Sequence, residues 1–290
     1  MSSENILDKV KKLREITGVG FKDCKNAIDE NNGDIDKSIE YLRKKGIAKA
    51  SKKMERVAAD GLVCVSEENN KISIIEINSE TDFVAKNNEF IKFVEEVSNL
   101  NLLKSGKMEN ILSSEMQNKK NVNDNLVSLI SKIGEKITIR RCDFLNDDGK
   151  CSNFSYIHSS IKKDIGKIGV LVSLQSKKSK KELLEIGKQL SMHIAALSPL
   201  AIDKDDLDQK ILSKEKEIIT EELKNSGKDT KIADKIAIGK LNKFINDNTL
   251  LNQEWIIEPK KKVKNVLKEV AGDDDIIIKK FVRFKVGEGI

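Results

Sequence analysis

The chain has 290 residues, 38% of them apolar and 34% charged, with 53 basic against 47 acidic side chains and a formal net charge of +6. That length and apolar share fit two to four modest folded units, and apolar runs of only a few residues exclude a membrane-spanning helix. Acids interleave with bases along most of the chain, so the charge describes a hydrated surface compatible with acidic partners, not a nucleic-acid footprint.

Met1 to Asn5 has neither a basic start nor an apolar stretch, so no secretory signal is expected and the predicted location is cytoplasmic. Cys24, Cys64, Cys142 and Cys151 are scattered without a C-x-x-C pair and read as reduced, small apolar residues. His158 and His193 lack ligand spacing, so no metal or other cofactor is expected.

The first 55 residues read as three short helices and a linker. Ile6, Val10 and Leu13 form one stripe at i, i+4, i+7; Phe21 opens a second segment carrying Cys24, Ala27 and Ile28; Ile35, Ile39 and Leu42 repeat the stripe. Between them Thr17-Gly18-Val19-Gly20 breaks the pattern, and Gly33 and Asp34 supply a helix stop and an N-cap. Gly46 to Arg56 reads as a basic connector.

From Gly61 the period changes to that of strands. Leu62 and Cys64, then Ile72, Ile74, Ile75 and Ile77, form two β-rich runs around the turn-like segment Glu67 to Asn70. A helix with Phe90, Phe93, Val94 and Val97 on one side follows; residues 101–123 read as mixed helix and loop, Leu126 to Ile133 as a helix, and Ile137 to Cys142 as a strand. The second half repeats this plan. Lys71 to Ile77 resembles Lys167 to Ser173, each a strand feeding a helix, and Ile137 to Arg141 has its counterpart in Phe281 to Lys285. The second helix carries Leu183, Leu184, Ile186, Leu190 and Ile194. From about Asp203 to Asn246 a charged insertion with sparse anchors (Leu207, Ile211, Ile218, Ile232, Ile236, Phe244), turning at Asn225 to Lys228, reads as two antiparallel helices sharing a narrow apolar seam.

The expected architecture is therefore α+β: a three-helix unit and linker over residues 1–55, core subdomains over 56–145 and over 146–200 with 258–290, and an inserted helical hairpin over 201–257. No phosphate-binding loop, dinucleotide fingerprint or nucleophile elbow is present, and the carboxylates are scattered among lysines. The sequence predicts a protein that acts by binding, not an enzyme.

Two segments carry a family resemblance. Leu13 to Lys25 (LREITGVGFKDCK) resembles the amino-terminal motif of the elongation factor Ts family, and Glu76 to Lys86 (EINSETDFVAK) its second, longer motif. Lys132 to Glu135, Ile139 to Arg141 and the ending from Phe281 to Ile290 fit in the same order, so the resemblance spans essentially the whole chain. It implies an amino-terminal domain like ubiquitin-associated domains, two duplicated core subdomains, and a helical-hairpin insertion. It also implies binding to elongation factor Tu, GDP-bound and nucleotide-free, with release of GDP so that GTP can load.

On that resemblance the partner-binding residues are Thr81, Asp82, Phe83 and Val84, with Arg14 and Phe21 from the first motif, Ile133 and Gly134, and His158 after the pair Tyr156-Ile157. Each has a plainer reading. Phe83, Phe90 and Val94 are spaced i, i+7, i+11, so Phe83 fits a core position; the polar run Asn78 to Thr81 and the pair Asn87-Asn88 start the helix later and leave Phe83 at an exposed turn. Arg14 also fits a surface residue, Phe21 a core residue, Gly134 a helix C-cap and His158 a solvated side chain. Lys22 stands where many relatives have an apolar residue, Ser159 to Lys167 is longer than their glycine-rich turn, and the chain ends at Ile290 where many continue. A rival function is RNA or ribosome binding through the basic segments Arg43 to Arg56 and Pro259 to Lys262, although only 4% of residues are aromatic and available to stack. A second rival is a peptide-capturing adaptor, which leaves the motif at Glu76 to Lys86 unexplained.

Overall fold

The computed structural model describes residues 6–17, 19–53, 55–146, 149–224 and 230–290. Gly18, Met1 to Asn5, the expected hairpin turn at Asn225 to Lys228, and the side chains of Lys49, Lys52 and Ile232 lie outside the described residues.

Three helices, α1 (Ile6–Thr17), α2 (Phe21–Glu30) and α3 (Ile35–Lys53), close over Val10, Leu13, Cys24, Ala27, Ile28 and Leu42. Ile6, expected in the stripe, is instead exposed at the first position of α1. Asp34 caps α3 by accepting the Lys37 N–H at 3.0 Å. The segment Gly46 to Arg56 is not a free connector: α3 runs on to Lys53 and lies against α7 (Val122–Ile133), where Arg43 grips Asp124 at 3.1 Å. A row of Lys and Ala has high helix propensity, and a packed neighbour lets it continue.

β1 (Asp60–Glu68) and β2 (Lys71–Ser79) form a hairpin turning at Asn69-Asn70, both at positive φ. α4 (Asp82–Ala85), α5 (Asn88–Leu103), α6 (Met108–Ser113) and α7 lead to β3 (Ile137–Leu145), which returns to pair with β2. The end of α5 and α6 supply the helical part of the region read as mixed helix and loop, and α7 begins at Val122, earlier than its apolar face signals. The second half has β4 (Cys151–His158), β5 (Ile165–Gly166), β6 (Ile168–Gln175), α8 (Leu184–Leu197), α11 (Val263–Ala271) and β7 (Ile277–Lys285). The strand orders β3-β2-β1-β5 and β4-β6-β7 each put the second strand of a hairpin between its first and a closing strand. The duplicated motif is thus visible in the topology. β5 comes from the long β4–β6 connection and adds to the edge of the other half's sheet, burying Ile165.

The two sheets stack back to back with their helices outside. Leu62, Cys64, Ile75 and Ile77 face α5 and α7, whereas Val63, Val65, Ile72 and Ile74 face Leu171, Val282 and Phe284 of the second sheet. With both faces covered, every residue of β2 after Lys71 is buried, the polar Ser73, Glu76, Asn78 and Ser79 included. Gly169 permits the close approach: a Cβ there would lie 2.5 Å from Val63 Cγ1 and 2.8 Å from Ile74 Cδ1.

Into this apolar layer β2 places one carboxylate. Glu76 is fully buried and accepts from Arg140 Nη1 at 2.9 Å, Arg141 Nε at 2.5 Å, Asn78 Nδ2 at 3.0 Å and the Gly287 N–H at 2.9 Å. Two successive arginines reach one carboxylate because the β2–β3 register slips at Glu76/Ile77, a bulge that re-aims the side chains of β3. The arginines then donate to the carbonyls of Glu288, at 2.6 Å, and Lys285, at 3.1 Å, so the network ties the first sheet to the end of the second.

In the insertion, α9 (Gln209–Lys224) and α10 (Thr230–Asn248) run antiparallel, with Leu212 and Ile245 in one cluster and Lys240 paired to Glu222 at 2.6 Å. Leu207 and Phe244 join this cluster as expected, but within α9 the buried face is displaced by one residue from the expected one. Leu212, Ile219 and Leu223 are buried, while Ile211 and Ile218 are exposed. Both sets carry a seven-residue spacing, so periodicity alone does not choose between them.

Burial opposes ionisation of Glu76, but the Gly287 N–H, Asn78 and the two arginines outweigh it and hold the carboxyl below its usual value of 4.5. A depressed folded-state pKa contributes stability that is present above 4.5 and lost as pH falls through the folded value. Glu76→Gln is expected to destabilise the protein by about 2–4 kcal/mol at neutral pH, leaving two half-buried arginines without their anion. Urea melts from pH 7 to 3 check this: the variant should start lower and lose less on acidification than the parent.

Candidate functional site

The β2–β3 ladder ends at Ser79↔Ile137, and the chain beyond it is joined by side chains. Glu80 Oε1 accepts the Lys136 N–H at 2.6 Å. Glu135 Oε2 accepts the Thr81 N–H at 3.0 Å, and its Oε1 accepts the Thr81 hydroxyl at 2.8 Å. The two carboxylates thus bind backbone N–H groups across the gap just beyond the ladder. Arg56 adds a guanidinium 3.2 Å from Glu80, and Lys136 Nζ donates to the Arg56 carbonyl at 2.8 Å. Partial burial works against the Glu80 carboxylate, yet the Lys136 N–H and Arg56 keep it below the ordinary range.

On this frame stands α4, one turn of helix. Thr81 occupies the N-cap position but makes no cap hydrogen bond with its side chain, since its hydroxyl is turned to Glu135. Val84 and Ala85 are buried against the first core, and Asn87 caps α5 by accepting the Glu89 and Phe90 N–H groups at 2.8 and 3.3 Å. Between these anchors Phe83 projects outward with 78% of its surface exposed. The core reading of Phe83 is thus incorrect: Phe90 and Val94 are buried, but the chain changes direction at Lys86 and Asn87, so the i, i+7, i+11 spacing does not run through one helix.

Around Phe83 the surface is charged in alternation. Asp82 pairs with Lys86 at 2.7 Å, which lowers the pKa of the acid and raises that of the base. Asp82 also feels Lys167, and Lys86 feels Asp60; Asp60 and Lys167 are themselves an ion pair across the two halves. An open depression of about 310 Å³, lined by Ala59, Asp60, Ser159, Lys167, Ile168, Lys285 and Val286, lies at this corner.

The other expected residues are distributed around it. Gly134 is the C-cap of α7 in the left-handed conformation (φ 87°), its N–H donating to Ile130 O at 2.9 Å, and a Cβ there would meet nothing within 4 Å. It is a helix stop whose geometry delivers Glu135 to Thr81, and Ile133 beside it is half-buried against the first core. His158 is exposed at the end of β4, its Nδ1 3.0 Å from the Tyr156 hydroxyl, one residue from Ser159 of the depression. Arg14 is exposed in the last turn of α1, and Phe21, 44% exposed, opens α2; both stand on the three-helix unit, which reaches the body through α3 on α7. Glu80, Glu135, Asp60 and Lys167 were not selected from sequence. Only Glu80 and Glu135 left a signal, as acids inside the segments Glu76 to Lys86 and Lys132 to Glu135 that carry the family resemblance.

A preformed scaffold that displays an aromatic residue belongs, by its relatives, among the translation elongation factors. The family described as Elongation factor TS matches residues 80–288. Elongation factor Ts of Parvibaculum lavamentivorans is 40% identical over 285 residues, covering 97% of this chain and 92% of the relative. That of Methylorubrum extorquens is 42% identical over 284 residues, with 97% and 92% coverage, and that of Rickettsia felis 38% over 285, with 97% and 91%. This chain belongs to the elongation factor Ts family.

Because Phe83 makes little contact within the fold, Phe83→Ala is expected to change stability by under about 0.5 kcal/mol, whereas Phe90→Ala should cost about 3–5 kcal/mol. Thermal melts of the two variants measure the difference.

Proposed function

We propose that this chain is a guanine-nucleotide exchange factor for elongation factor Tu, acting without covalent chemistry, in the cytoplasm. The observation that carries the reading is Phe83: an aromatic 78% exposed on a turn anchored at both ends. Burying such a ring in a partner pocket contributes roughly 1.5–3 kcal/mol. A GTPase holds its nucleotide through a phosphate-cradling loop and a Mg²⁺ ion that demands octahedral ligation. Phe83, inserted between helices of that partner, displaces the groups supporting its ion, while Asp82 leaves Lys86 to pair across the interface. Loss of the ion removes the largest positive charge on the phosphates. Each ~1.4 kcal/mol of ground-state affinity lost speeds release tenfold when the barrier top is unchanged. By linkage, nucleotide weakens binding of the exchange factor by the same factor.

Thr81 and Val84 hold the turn, Ile133 and Gly134 flank it, and His158 extends the surface onto the second half. In this reading residues 1–55 form a ubiquitin-associated-like domain that docks through Arg14 and Phe21, residues 56–145 and 146–200 with 258–290 form the paired core subdomains, and residues 201–257 form a coiled-coil arm. Among the described residues no helix is long and apolar enough to cross a membrane. RNA binding finds less support, because several basic side chains of these segments are paired with acids: Arg43 with Asp124, Lys45 with Asp23, Arg56 with Glu80, Lys261 with Glu258 and Glu269.

Stopped-flow release of fluorescent GDP from elongation factor Tu tests the proposal. The chain is expected to accelerate release, and Phe83→Ala to reduce that acceleration at saturating concentration by about tenfold or more. Equal release with and without the chain would reject the function.

A further inference from the structure

We propose that Glu135 is a positioning residue for the Phe83 turn, holding it in docking shape in the free protein without being needed for the displacement itself. The proposal rests on the exchange-factor reading above. α4 has four residues, too few for a helix to persist by its own hydrogen bonds. Thr81 spends both of its donors, the N–H and the hydroxyl, on one carboxylate 54 positions later in the chain. The reach is set by Gly134, whose left-handed backbone ends α7 and turns Glu135 back toward the end of β2. The neighbouring Glu80–Lys136 bond, running in the opposite sense, keeps the two strand ends from sliding. Glu135 lies one residue from the Ile133-Gly134 surface and thereby fixes that surface and Phe83 as one unit.

If this clamp is removed, the turn samples other shapes, and docking must order it again. The cost then falls on association, because Phe83 is intact and regains its place once bound. Glu135→Ala is therefore expected to raise the concentration for half-maximal GDP release by about tenfold while leaving the saturating rate within about twofold. Glu135→Gln keeps an acceptor for the Thr81 N–H and a donor for its hydroxyl oxygen, so it should stay within about threefold of the parent. Thr81→Val, which removes one of the two bonds, should give a smaller effect and add little to Glu135→Ala.

The experiment combines these release kinetics with amide hydrogen exchange on the free, full-length protein. In Glu135→Ala, the Lys86 and Asn87 amides, which bond back to Asp82, Phe83 and Val84, should exchange faster while Ile72 to Ile77 keep their protection. An unchanged half-saturation concentration, a saturating rate as low as that of Phe83→Ala, a Gln variant as weak as the Ala variant, or unaltered Lys86 and Asn87 exchange would each overturn the proposal. Should general loss of β2 protection accompany Glu135→Ala, the same measurements on Thr81→Val decide. Failure of the parent chain to accelerate release would instead reject the underlying function, and failure of Phe83→Ala to slow it would reject the role of Phe83, whatever Glu135 does.

Discussion

A carboxylate buried between two sheets is the constraint on which the arrangement depends. Glu76 stands in a layer of isoleucine, valine and phenylalanine, where an uncompensated charge would be costly, and it is tolerated only because four donors surround it. Those donors come from β2, β3 and the chain after β7, so satisfying the charge and joining the two halves are the same event. Apolar packing between sheets is non-directional and permits sliding. The hydrogen bonds set one register, and the β3 bulge makes them geometrically attainable.

The same strand carries the order outward. Three residues after Glu76 the regular ladder ends, and the carboxylates of Glu80 and Glu135 continue it as side-chain bonds to backbone. A single exposed aromatic is ordinary on protein surfaces. Phe83 differs because its neighbours on both sides are held: Thr81 by Glu135, Val84 and Ala85 by the core, Asn87 by its cap on α5. Rigidity of that kind lowers the entropic cost of docking. The Asp60–Lys167 pair and β5 then align the second half beside the first at this corner.

Much of the local structure was legible in the chain. The helical stripes of α1 and α3, the β1–β2 hairpin with its asparagine turn, the apolar face of α5 and the repeat of strand and helix in the second half all follow from short-range pattern. The misreadings share a cause. Gly46 to Lys53 is helical because α7 lies against it; Ile211 and Ile218 lose the seam to Leu212 and Ile219; β5 has only two residues and exists because β1 offers an edge. For the site, the motif drew attention to Thr81 to Val84, but spacing alone placed Phe83 in the core as readily as outside it. Glu135 escaped selection because its partner is distant in the chain.

By itself the sequence determined most element types, the repeated order of strand and helix, and the family, since each resides in nearest-neighbour preferences or contiguous residues. Tertiary structure alone decided that Phe83 points to solvent, that Glu76 joins the sheets, and that Glu135 accepts both hydrogen bonds of Thr81. These depend on which faces become buried and which distant donors meet a given acceptor. Such pairings are set by closing the chain into layers, and a linear pattern carries no record of them.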